Sequence, residues 1–125
     1  MAGARWVRLD VDYFQNPKAL DAGPLGRAAH LASICWVGRF VTDGVIPARA
    51  VPTILHEAGA PKTTPELLIS AGLWIPNGGS TFQLHDYLEI GNPSREQIQH
   101  DRQQYLERQR RYNSKRWVRR DDDAS

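Results

Sequence analysis

The sequence predicts a mainly helical α+β chain: a compact body of short helices closed by one small β-hairpin, then a basic C-terminal helix. Three observations lead there. Residues that open and stop helices recur along residues 16–72. Two β-prone runs flank Asn77-Gly78. Charge is unevenly placed: residues 1–94 hold seven Lys/Arg and eight Asp/Glu, whereas residues 95–120 hold nine Lys/Arg and three Asp/Glu.

Taken in order, Trp6 to Val11 is β-prone and reads as a short strand, with a connector from Asp12 to Asn16. Asn16-Pro17-Lys18 places a capping side chain before a proline at the first helical position, and Gly23 stops that helix after about Ala22. Pro24 opens the next helix, to about Phe40. Leu25, Ala28, Ala29, Leu31, Ala32, Ile34, Cys35, Trp36, Val37 and Phe40 cover most of its circumference, the pattern of a central core helix. Cys35 therefore reads as a small buried hydrophobe, and Trp36 and Phe40, four apart, share a face.

Thr42-Asp43-Gly44 is a turn signal, and Val45-Ile46 reads as a minimal strand. A helix follows over Pro47 to Ala58 with its regular part starting near Pro52, because proline fits only the first turn, and Gly59 stops it. Thr64-Pro65-Glu66 reads as N-cap, proline and first-turn acid, with Leu67, Leu68 and Ala71 inward and Gly72 as the stop. Leu73-Trp74-Ile75-Pro76 and Thr81 to His85 are the strands of a hairpin with a tight Asn77-Gly78 turn. After the breaker Gly91-Asn92-Pro93, Ser94 and Gln97 match a capping box, and helix formers continue from Arg95 to about Arg120. The predicted core is Leu31, Ile34, Trp36, Phe40, Ile54, Leu55, Leu68, Leu73 and Trp74.

Composition removes several classes. With 24% charged and 41% apolar residues the chain is not globally disordered. No apolar run reaches the roughly 18 residues of a membrane span, and Met1 to Trp6 lacks a secretory h-region, so a cytoplasmic protein without membrane contact is expected. One cysteine allows no intrachain disulfide. His30, His56, His85 and His100 show no metal spacing, and no phosphate or dinucleotide loop occurs. His85 and Asp86 are adjacent, which on a strand sends them to opposite faces. We expect no catalysis, metal, cofactor or small-molecule ligand.

Two helices joined by residues 59–63 and followed at once by a hairpin form a winged helix-turn-helix layout, in which Thr64 to Ala71 would be the recognition helix and Asn77 to Ser80 the wing. Four stretches also resemble the N-terminal domains of phage replisome organisers and DnaD-like replication proteins. They are Trp6 to Phe14 with Asn16-Pro17-Lys18; Thr42 to Pro47; Ala71-Gly72-Leu73-Trp74; and His85 to Leu88. The Arg/Glu/Gln-rich tail from Ser94 is similar to the linker that follows such domains, so the resemblance covers residues 5 to about 112. It implies a winged-helix fold and a role on DNA or in replication. Larger members continue into another domain after the linker, where this sequence stops. The expected division is 1–92 winged-helix domain, 93–120 basic helical tail and 121–125 acidic disordered end.

Two readings of function compete. In the first, the tail binds DNA, duplex or single-stranded. Arg102, Arg108, Arg110, Arg111, Lys115, Arg116, Arg119 and Arg120 would meet phosphates, with Tyr105, Tyr112 and Trp117 interleaved for stacking. Arg49, Lys62, Thr63 and Thr64 would add contacts from the domain. In the second, the domain is a protein–protein adaptor docking on replication or transcription machinery, because no Lys or Arg lies between Thr63 and Ser94, where recognition helix and wing would contact DNA. Ile98, Tyr105 and Tyr112 repeat every seven residues, but the companion positions Asp101/Arg102 and Arg108/Gln109 are charged or polar, a poor coiled-coil seam.

Overall fold

A computed structural model describes residues 6–88, Asn92 and 94–124, with side chains described as far as Lys115. It is mainly helical with a small three-stranded antiparallel sheet. Helix α1 spans Pro17–Phe40, strand β1 Val45–Pro47, α2 Val51–Ala58, α3 Thr64–Ala71, β2 Trp74–Pro76, β3 Thr81–Leu84 and α4 Arg95–Ala124. The chain divides into two compact units, residues 1–94 and 95–125. Among the described residues no helix is long and apolar enough to cross a membrane.

Local chemistry sets most helix ends. The Asn16 side chain accepts the Lys18 backbone N–H at 2.9 Å, ahead of Pro17. Gly23 leaves helical geometry (φ 71°, ψ 175°), and Pro24 resumes the helix beyond the break. A 3-10 turn over Ala48–Ala50 leads into α2, where Pro52 occupies the first turn and lacks only a donor that would have no partner there. Gly59 (φ 67°) and Gly72 (φ 82°) take the left-handed conformation that ends α2 and α3. Helix α4 continues past Arg120 through Asp121 to Asp123 and ends at Ala124.

The sheet is larger than a hairpin. β3 is central and pairs β1 (Val45↔Gln83, Pro47↔Thr81) and β2 (Trp74↔Leu84, Pro76↔Phe82), so the prolines Pro47 and Pro76 each lie in an outer strand. The loop between β2 and β3 is wider than a two-residue turn. Asn77 N–H donates to the Thr81 carbonyl, and the positive φ angles, both 64°, fall on Gly78 and Gly79 rather than on Asn77. Gly44 (φ 89°) is required before β1, since a Cβ there would lie 2.6 Å from Gln83 Nε2 and 3.2 Å from Tyr87 Cβ.

The core joins Ile34 and Val37 of α1 to Ile46, Ile54, Leu55, Leu68, Leu73, Trp74, Leu84 and Tyr87. Two of its polar side chains are matched: the buried Trp74 indole N–H donates to Ser33 Oγ at 3.1 Å, and that hydroxyl donates to the His30 carbonyl at 2.6 Å.

Several expectations are corrected. Residues 6–10 form no strand: the Arg8 N–H is taken by the Asn92 side chain at 2.6 Å instead of a ladder, and a 3-10 turn follows at Tyr13–Gln15. α1 has one face on the core, so Cys35 is exposed, Phe40 is 55% exposed, and Leu31 and Trp36 are only partly buried. Trp36 and Phe40 do meet, with ring centroids 4.8 Å apart. On α3, Leu67 is exposed while Leu68 is fully buried. Thr64 is not an N-cap: it lies inside the helix, and Thr63 before it makes no side-chain capping bond.

Candidate nucleic-acid interface

Helix α4 rises about 1.5 Å per residue, so its 30 residues extend about 45 Å. Arg102, Arg108, Arg110, Arg111 and Lys115 are all exposed on it. They do not form one patch. Arg108, Arg111 and Lys115, at i, i+3 and i+7, share a stripe, while Arg102 and Arg110 sit elsewhere on the circumference. Arg111 approaches Glu107 at 4.0 Å, both well exposed, and a contact of that length in water is weak. Among the described residues, Arg102, Arg108, Arg110 and Lys115 make no ion pair. Arg116, Arg119 and Arg120 belong to α4, but their side chains fall outside the described residues.

The domain contributes less than its sequence suggests. Arg49, on the 3-10 turn before α2, and Lys62 and Thr63, before α3, are exposed. Thr64 is not available to any ligand. It is fully buried, and its hydroxyl has no hydrogen-bond partner among the described residues, because the first turn of α3 packs it into the core. The exposed residues of α3 are Glu66, Leu67 and Ser70, and β2 presents Ile75: an acidic and apolar surface rather than a cationic one.

A second polar site has no signature in the spacing. Residues from four separated segments line a cavity of about 90 Å³, with Leu73 and Leu84 on its apolar side and Tyr13, His30, His85 and Asp86 on its polar side. Tyr13 Oη lies 2.8 Å from His30 Nδ1, and the rings stack with centroids 5.5 Å apart. The hydroxyl donates to Nδ1 when the imidazole carries its proton on Nε2. Burial lowers the His30 pKa to about 4, with His85 adding repulsion, so the ring is neutral at pH 7. Burial also raises the Tyr13 phenol to about 12, with Arg27 pulling the other way.

Beside it, His85 Nε2 is 2.8 Å from Lys18 Nζ and 2.7 Å from Asp86 Oδ2. The adjacent His85 and Asp86 side chains converge instead of diverging, because β3 ends at Leu84 and Asp86 turns to φ 61°. One ring nitrogen cannot accept from the ammonium and donate to the carboxylate at once, so the ring's tautomer selects its partner. Among the described residues no group of three or more His, Cys, Asp or Glu side chains is placed to hold a metal ion.

Compared with protein-family models, with curated proteins and with solved structures, the chain has no match.

Proposed function

We propose that this chain is a DNA-binding protein of winged-helix type, with a role in phage or mobile-element replication, that contacts nucleic acid mainly through α4. The observation that carries the reading is the set of exposed cations on that helix, of which Arg102, Arg108, Arg110 and Lys115 make no ion pair among the described residues, set against a body of residues 1–94 with net charge −1. Phosphate contact by such cations releases condensed counterions, which supplies sequence-independent affinity. Two short helices between β1 and a hairpin, in a sheet of order β1-β3-β2, support the winged-helix assignment. In that assignment α3 and the 77–80 loop are a scaffold, since they carry no Lys or Arg.

A second reading, a protein–protein adaptor docking on replication or transcription machinery, is favoured by Leu67 and Ile75, two large apolar side chains exposed on α3 and β2.

A salt titration of DNA affinity, comparing the whole chain with a form ending at Pro93, tests the first reading. If α4 neutralises about five phosphates, the whole chain loses log affinity against log salt with a slope of roughly −4 to −5 on duplex DNA. The shortened form binds weakly with a shallow slope. Equal affinity of the two forms would move the contact to Arg49, Lys62 and Thr63. Absence of binding by either form at low salt leaves the adaptor reading.

A further inference from the structure

We propose that the Tyr105–Tyr112 side of α4 binds single-stranded nucleic acid, with the two rings stacking on unpaired bases while Arg108, Arg111 and Lys115 hold the phosphates. The inference rests on the nucleic-acid reading above and names the strand class it takes.

Tyr105 is 56% and Tyr112 64% exposed, although each ring carries enough apolar surface to be worth burying. Neither makes a ring contact with another aromatic side chain among the described residues. Seven residues apart, they lie on nearly the same line of the helix, about 10.5 Å from each other along its axis. Arg108 falls between them in sequence, and the stripe it forms with Arg111 and Lys115 runs beside theirs, roughly a quarter-turn away. A basic track alongside spaced, accessible rings is the arrangement by which single strands are held without regard to sequence.

A duplex would use only half of this face. Its bases are already stacked on one another, so the cations could reach phosphates while both rings stayed in water. A second copy of α4 fits worse. Pairing through Ile98, Tyr105 and Tyr112 would draw Asp101, Arg102 and Arg108 into the seam, where burying a charge costs more than the narrow apolar line returns.

Fluorescence anisotropy of the whole chain with a labelled oligothymidine and a labelled duplex of equal length, at the same salt, tests this. Replacing both rings (Tyr105→Ala with Tyr112→Ala) is expected to weaken oligothymidine binding at least tenfold. Duplex affinity and both salt slopes stay unchanged, because no phosphate contact is lost. Tyr105→Phe with Tyr112→Phe keeps the rings and restores binding. Alanine favours helix, so α4 persists, and circular dichroism verifies it. If the alanine pair binds oligothymidine like the parent while Arg108→Gln with Arg111→Gln loses both ligands, the stacking face is overturned and the nucleic-acid reading stands. If the parent binds neither probe at low salt, both fall. If sedimentation shows a dimer that the alanine pair dissociates with oligothymidine affinity unaltered, the rings form a seam and the proposal is overturned.

Discussion

At the scale of single residues, two buried groups make the stability of the body sensitive in opposite ways. His30 is 6% exposed and neutral in the fold, with its pKa lowered to about 4 by burial. Below about pH 6.5 the unfolded chain takes up a proton there that the folded chain refuses until near pH 4. Stability therefore falls as pH falls through that window, by up to roughly 3 kcal/mol from this ring, and is flat with respect to it above pH 6.5. Urea midpoints at pH 7 and pH 5 should separate accordingly, and His30→Phe should shrink the difference. Unchanged separation in that variant would place the titrating group elsewhere. Thr64 errs in the other direction: its hydroxyl is buried with no partner among the described residues, a cost of about 1–3 kcal/mol already present in the native state. Thr64→Val, nearly the same shape, is expected to raise stability by about 1 kcal/mol in a thermal melt. A lower melting temperature would mean that the hydroxyl has a partner.

At the scale of elements, the loop joining β2 to β3 depends on two successive residues at φ 64°, Gly78 and Gly79. Gly78→Val is expected to destabilise the body by about 1 kcal/mol or more, since a β-branched residue resists positive φ. Chemical denaturation measures this, and a midpoint equal to the parent's would show that the loop relaxes freely. The start of α1 and the C-terminal ends of α2 and α3 were legible in the sequence because they depend on neighbours in the chain, Asn16 beside Pro17, Gly59 and Gly72, whereas the tight turn expected at Asn77-Gly78 is a wider loop with positive φ at Gly78 and Gly79. What depends on distant partners was not. The β-prone run from Trp6 has no ladder, because its Arg8 N–H meets a side chain 84 residues away. Periodicity gave α1 an apolar surface nearly all round, yet only the face bearing Ile34 and Val37 met the sheet and the other helices, leaving Cys35 and Phe40 outside. For the candidate site, spacing identified the cations of α4, whereas the Tyr13–His30 and Lys18–His85–Asp86 groups exist only through folding.

At the scale of the whole molecule, the two units have different sources of order. Residues 1–94 bury a common core around Trp74, while α4 from Arg95 to Lys115 exposes nearly every side chain and relies on backbone hydrogen bonds and helix propensity. A partner for the first unit would meet the sheet as well as the helices, and the sheet's hydrogen bonds decide what it can accept. Gly44 and Ala48 on one side, and Leu73 and Asn77 on the other, bond towards β3. By alternation, Val45 and Pro47 of β1, and Trp74 and Pro76 of β2, direct their backbone nitrogens away from the sheet. Both prolines have no N–H to offer, and the Val45 N–H is already given to the Thr42 carbonyl. β1 thus presents no free outward donor, and β2 presents only that of Trp74. An extended peptide therefore finds no donor along β1 and a single one along β2, which disfavours lengthening of the sheet at either edge. The two edge prolines thus favour recognition through side chains over strand addition, for a foreign partner and for a second copy alike.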